Sequence, residues 1–203
     1  MLTTQFKPRI NQLLRPLAQV FVRMGIHPSF ITVGCPVLMA IVCWRFIQTK
    51  AVGPFCVAAL AVGALDGLDG AVAREGGNAS AFGAYLDALC DRYVDALVAI
   101  TVARVTGYWM LSMLVLVGGF LVSYAKARAA MEVTVSNTEW PDLMERAERG
   151  IIFIAGLAAG AFIPVRPMGH DLFWWTLVVL LVLVHLTVIQ RMRRAAYFIR
   201  KRA

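Results

Sequence analysis

Charge is what this chain of 203 residues has little of. Only 16% of it is Asp, Glu, Lys or Arg, against 60% hydrophobic residues, and its mean hydropathy is +0.70. So few charges do not cover the surface of a water-soluble domain, and the composition indicates an integral membrane protein instead. Cysteine is scarce as well. Cys35, Cys43, Cys56 and Cys90 lie scattered in apolar stretches with no CxxC pair, which argues against a disulfide framework and a zinc site. No internal repeat is visible at periods of roughly 20–50 residues. A cleavable signal peptide is not evident either, because residues 1–26 carry charges every few positions. Residues 1–203 therefore read as a single membrane domain.

The apolar stretches mark the expected spans. About 20 apolar residues make one helical crossing, and six such crossings fit, near residues 29–48, 52–74, 79–104, 107–128, 149–165 and 172–190. The third is the least apolar, because Asp87, Asp91, Arg92 and Asp95 fall within it. Ahead of these, residues 5–25 interleave Leu, Val and Phe with Lys7, Arg9, Arg15 and Arg23. That segment is too charged to cross and suits an amphipathic helix lying on the bilayer. The expected fold is all-α: residues 1–27 as the interfacial helix, then residues 28–203 as a six-helix bundle ending in a basic tail, Arg191 to Arg202. His27-Pro28-Ser29 carries the start signals of the first span. Lys and Arg set the orientation. With both termini cytoplasmic, fifteen of them fall on that side, against Arg45, Lys50, Arg104 and Arg166 on the other. The formal charge of +8 thus flanks spans, so the lipid bilayer and its anionic headgroups are the expected partner, not nucleic acid.

One stretch departs from the apolar pattern, LDGLDGAVAREGGNASAFGAYLDALCD at residues 65–91. An ionised Asp in an apolar span costs several kcal/mol unless something compensates it. Asp66 and Asp69 are spaced i,i+3 and Asp87 and Asp91 i,i+4, so each pair shares a helix face. Gly76-Gly77-Asn78 between them is a turn signal. An antiparallel hairpin about residue 78 sets Asp69 level with Asp87 and Asp66 level with Asp91. Four converging carboxylates form a hard-oxygen site suited to Mg²⁺ or Mn²⁺, at the cytoplasmic end of the second and third spans. The alternative is ion pairing that pins a bundle, for which Arg74 and Arg92 are too few.

The order Asp66-x2-Asp69-Gly70-x2-Ala73-Arg74-x8-Gly83-x3-Asp87-x3-Asp91 resembles the complete signature of the CDP-alcohol phosphotransferase family. The resemblance implies a phospholipid-synthesising transferase: an acceptor hydroxyl attacks the lipid-side phosphorus of a CDP-linked lipid, such as CDP-diacylglycerol, and CMP leaves. It further implies two Mg²⁺ or Mn²⁺ ions held by Asp66, Asp69 and Asp87, with Asp91 as general base and additional ligand. Gly70, Arg74, Ser80 and Gly83 would contact the CDP-lipid, together with Ser29, Phe30, Ile31 and Thr32 at the head of the first span. Plainer roles stand beside these: Ser29 as a helix N-cap, Arg74 as partner to an aspartate, and Gly63 and Gly67 as helix-packing positions. Asp95 is expected to pair with Arg92, and His185 to be a packed core histidine. The family also implies a homodimer.

The acceptor is read from the remaining cytoplasmic cations. Lys126, Arg128, Arg146, Arg149 and Arg191 form a candidate pocket for a phosphorylated polyol. Anchoring by the positive-inside rule is the alternative, although it leaves the interleaved Glu145 and Glu148 unexplained. Ser123-Tyr-x-Lys-Ala-Arg-Ala, followed by Glu145-Arg-x-Glu-Arg, is similar to the phosphatidylinositol-phosphate synthase branch, which implies inositol phosphate. The linker at 128–145 is longer than that branch leads one to expect, and glycerol 3-phosphate is the runner-up. From other classes, a membrane prenyltransferase also uses Asp-rich motifs with Mg²⁺, and an ion transporter buries acids near the bilayer midplane.

Overall fold

A computed structural model describes residues 15–132 and 143–202. Its described residues are helical with short connections, and none is in a strand. Helix α1 covers residues 15–23, followed by α2 (Pro28–Thr49), α3 (Val52–Glu75) and α4 (Ala81–Thr106). Then come α5 (Trp109–Glu132), α6 (Arg146–Phe162), a single 3₁₀ turn (Pro167–Gly169) and α7 (Leu172–Arg202). Helices α1 to α4 belong to one compact unit, and α5 to α7 to another.

Four helices, α2, α3, α5 and α7, are long and apolar enough to cross a membrane. Two of the six expected spans fall short for different reasons. Helix α4 has 26 residues, but its charged side chains Asp87, Asp91, Arg92, Asp95 and Arg104 depress its hydropathy. Helix α6 has only 17 residues, about 25 Å at 1.5 Å each, against an apolar bilayer core of about 30 Å. The outward faces are apolar: α2 exposes Phe30, Val37, Ile41 and Trp44, and α7 exposes Val179, Val182 and Leu186. Exposed apolar area on this scale is what a lipid solvent requires. Of the expected interfacial helix, residues 5–14, with Lys7 and Arg9, lie outside the described residues.

In the first unit, α2 is the common neighbour along which both α3 and α4 pack. Its start is set by His27, whose Nδ1 accepts from the Ser29 N–H at 3.3 Å, with Pro28 in the first turn. The cap is thus His27; Ser29, proposed from sequence for that role, sits inside the first turn. Phe46 of α2 stacks on Phe55 of α3 with ring centroids 4.2 Å apart. Leu65, Leu68 and Val72 recur at helical spacing on α3 and meet Ala18, Phe21 and Val22 of α1, with Ile31 of α2 closing the cluster. Arg15 secures the same contact through a 2.9 Å ion pair with Glu75. Helix α3 ends at Gly76, and Gly77 takes φ +67°, a left-handed conformation that glycine adopts without strain. The expected turn is there.

In the second unit, α7 packs against α5 and α6. Glycines set these crossings. A Cβ at Gly118 would lie 2.5 Å from Val184 Cγ1, and one at Gly160 would lie 2.7 Å from Phe173 Cβ. Phe173 meets Phe153 edge to face at 5.3 Å. Asp171 starts α7 by accepting from the Trp174 N–H at 2.9 Å and from the Tyr108 hydroxyl at 2.8 Å. Burial pushes the Tyr108 phenol above its usual pKa, and that hydrogen bond acts in the same direction. His185 is half-buried with Nδ1 2.9 Å from the Leu181 carbonyl, the core histidine expected. All four cysteines are buried, the small core residues expected.

Candidate metal and active site

The site is assembled where α3 ends and α4 begins. Asp66, Asp87 and Asp91 are half-buried, and each offers a carboxylate oxygen within 4.8 Å of the other two. The Oδ1 atoms of Asp66 and Asp91 are shielded from solvent. Two like charges about 4 Å apart repel by about 4 kcal/mol at an effective dielectric near 20, a repulsion that a divalent cation among the three carboxylates would relieve. A donor set of three carboxylates favours a hard divalent ion.

Asp69 stands apart from that trio. Its Oδ2 accepts from the Thr32 hydroxyl of α2 at 2.6 Å, and its Oδ1 accepts from the Gly70 N–H. Asp69 is thus engaged from α2 and lies outside the group of three. The contact of α2 with α3 is the physical reason, which register counting between α3 and α4 alone cannot foresee. Thr32 itself is 4% exposed and Asp69 6%.

The other first-unit candidates divide by position. Ser80 is the N-cap of α4, its Oγ accepting from the Gly83 N–H at 3.0 Å. A Cβ at Gly83 would approach that oxygen to 3.2 Å, so glycine there preserves the cap. Arg74 is exposed and lies over Gly70, where a Cβ would sit 3.3 Å from its Nη1. Of the stretch at the head of α2, Phe30 faces outward and Ile31 packs into the apolar cluster with α1 and α3. Gly63 has open space where a Cβ would be, and Gly67 is exposed, so neither marks a close helix contact within this unit. Arg92 bridges Asp91 and Asp95 at 3.4 Å each, the pairing expected for Asp95.

The five candidate acceptor cations lie in the second unit and do not behave alike. Arg149 of α6 is buried beside Gly119 of α5, where a Cβ would meet its guanidinium at 3.6 Å. Arg191 of α7 is buried too and donates from Nη1 to the Val122 carbonyl of α5. Gly119 and Val122 are i,i+3, so both guanidinium groups abut one face of α5. Arg128 is exposed and pairs with Glu132 at 2.7 Å, while Lys126 and Arg146 are half-buried. Glu148 reaches back to accept from the Glu145 N–H at 3.1 Å, capping α6. Helix capping therefore explains the acids interleaved among the arginines, which sequence reasoning had counted towards the pocket.

Asp66, Asp87 and Asp91 could hold a divalent cation through carboxylate oxygens, in a chain four of whose described helices are long and apolar enough to cross a membrane. The family model for CDP-alcohol phosphatidyltransferase matches residues 25–189, and the chain belongs to that family. It is 36% identical over 194 residues to an archaetidylinositol phosphate synthase of Methanothermobacter thermautotrophicus, covering 93% of this chain and 91% of the relative. Among solved structures, the phosphatidylinositol phosphate synthase of Mycobacterium tuberculosis with CDP-DAG bound matches with a TM-score of 0.77 at 26% identity. That match covers 91% of this chain and 94% of the other. The same enzyme in complex with manganese and citrate matches with a TM-score of 0.76 at 25% identity, covering 90% and 88%. Family membership removes the prenyltransferase and transporter readings.

Proposed function

We propose that this enzyme transfers a phosphatidyl-type group from CDP-diacylglycerol or a related CDP-linked lipid to a hydroxyl of inositol phosphate, releasing CMP. The observation that carries the chemistry is the convergence of Asp66, Asp87 and Asp91. Asp66, Asp69 and Asp87, with Asp91, would hold two Mg²⁺ or Mn²⁺ ions, which supply charge neutralisation at the diphosphate and the leaving CMP. In this reading Asp91 takes the proton of the attacking hydroxyl as the new phosphorus–oxygen bond forms and the bond to CMP breaks. Arg92, 3.4 Å from Asp91, orients that carboxylate. Arg74, exposed beside the acids, binds the diphosphate, and the first turns of α2 and α4, around Ser29 and Ser80, receive the nucleotide part. Arg149 of α6 and Arg191 of α7 bind the acceptor phosphate, assisted by Arg146 of α6 and Lys126 of α5, with Arg128 in a lesser role.

The same reading places six spans in the cytoplasmic membrane, with α4 and α6 completing the four apolar helices, α1 on the bilayer surface, and both termini and the site cytoplasmic. It also takes the working form to be a homodimer, which mass measurement in lipid nanodiscs would contradict if only monomer were present. What supports inositol phosphate is the naming of the relatives together with two buried arginines, Arg149 of α6 and Arg191 of α7, against one face of α5. The deciding assay is CMP release from CDP-diacylglycerol with inositol phosphate, glycerol 3-phosphate, inositol and serine as acceptors. Turnover with inositol phosphate alone is expected. Preference for glycerol 3-phosphate would replace the acceptor, and CMP release with none of them would refute the reading.

A further inference from the structure

The Thr32 hydroxyl has one proton and two acceptors within reach, the Pro28 carbonyl at 3.2 Å and Asp69 Oδ2 at 2.6 Å. One hydrogen serves one strong bond, and the shorter distance lies in the range of a charge-assisted O–H···O⁻ bond, about 2.5–2.7 Å. The proton therefore belongs to Asp69. Both residues are buried, so water does not compete for the bond. The opposite oxygen of the carboxylate is fixed by the Gly70 N–H. Held at both oxygens, one donor from α2 and one from its own helix, Asp69 has its rotamer set before any ligand arrives.

We infer that Thr32 is a positioning residue of the metal centre: it acts through Asp69, not by touching the nucleotide. This rests on the metal reading above and deepens it. Partners that orient a metal-ligating carboxylate commonly carry roughly 10- to 100-fold in metal affinity, whereas a nucleotide contact carries none of it when no nucleotide is present. The two roles therefore separate in the lipid-free protein. Helix α2 also gains a function: the apolar cluster that includes Ile31 anchors the turn carrying Thr32 against α1 and α3.

The test is calorimetric titration of Mn²⁺ into the purified full chain without any CDP-lipid, for wild type, Thr32→Val, Thr32→Ala and Thr32→Ser. Val keeps the volume and loses the hydroxyl; Ser restores the hydroxyl at a cost of one methyl. The expected result is about a 10- to 100-fold weaker Mn²⁺ affinity for Val and Ala, and near-wild-type affinity for Ser. At saturating Mn²⁺ the KM for CDP-diacylglycerol should then change little in Thr32→Val. Unchanged Mn²⁺ affinity in Val and Ala, with a raised KM for CDP-lipid, would overturn the inference and make Thr32 a nucleotide contact. A Ser variant as weak as Ala would overturn it as well, because packing and not the hydroxyl would then be responsible. Failure of the wild type to bind Mn²⁺ would instead strike the metal reading itself.

Discussion

The most informative single perturbation is Arg149→Gln, set against Arg128→Gln in the same background. Arg149 is 9% exposed and lies against Gly119, so its guanidinium is held by packing and shielded from water. A hydrogen bond from such a group to a phosphate oxygen is worth about 1.5–3 kcal/mol, which corresponds to roughly ten- to a hundredfold in kcat/KM. Arg128 is half-exposed and satisfied by Glu132 one turn on, a pairing worth only about 0.3–0.5 kcal/mol. Its replacement should change kcat/KM by no more than about twofold. The assay is CMP release at saturating CDP-diacylglycerol, with inositol phosphate and then unphosphorylated inositol as the varied acceptor. Arg149→Gln should lose its ten- to hundredfold with the first and little with the second, with the CDP-lipid KM unmoved. Thermal unfolding of the variant in detergent controls for the loss of a buried charge. Equal losses for the two acceptors would refute an anion pocket at Arg149 and reduce the arginines to helix anchors.

Three further outcomes are expected. Asp66→Asn, Asp69→Asn and Asp87→Asn should each abolish turnover, as should exhaustive chelation, with recovery on adding Mg²⁺ or Mn²⁺; full activity in chelator would sink the metal assignment. Asp91→Asn should be nearly inactive yet still bind Mn²⁺ by calorimetry, and a loss of binding as complete as in Asp66→Asn would make Asp91 a ligand before it is a base. Gly156→Ala should lower the melting temperature although Ala favours helix by about 1 kcal/mol, because the new Cβ would overlap Thr176, including its stiff Cβ. Overpacking of that kind costs about 1–3 kcal/mol, so an unchanged or raised melting point would show that α6 and α7 separate freely.

Local signals carried most of the architecture. The turn at Gly76-Gly77, the Ser80 start of α4 and the i,i+4 pairing of Asp87 with Asp91 depend on neighbours within a few residues, and each appears where the sequence places it. Contacts between distant segments were not legible. Thr32 and Asp69 are 37 positions apart, and nothing in the spacing of either announces the other. Likewise, Arg128 and Arg149 read as equivalent cations, yet helix phase turns one towards α5 and leaves the other paired at the surface. Glu145 and Glu148 differ again: Glu is not among the preferred N-cap residues, so the local sequence does not announce the bond that Glu148 accepts from the Glu145 N–H.

Charge balance links the fold to the chemistry. The chain as a whole is formally +8, but residues 66–95 hold five aspartates and Glu75 against only Arg74 and Arg92. Arg15 takes up Glu75 from α1, and Arg92 is shared between Asp91 and Asp95. These pairings lie at the margins of the cluster, and they leave Asp66 and Asp87 facing Asp91 with their oxygens within 4.8 Å. A sequence selected only to cross a bilayer would replace these acids with Leu or Ala and gain several kcal/mol by doing so. That the helices retain them, and hold the fourth acid, Asp69, by hydroxyl and amide donors instead of by a cation, keeps negative charge concentrated at one end of α3 and α4. On the proposed reading, divalent cations would offset this repulsion, so the charge that costs the bundle stability is the charge that would hold a diphosphate through metal.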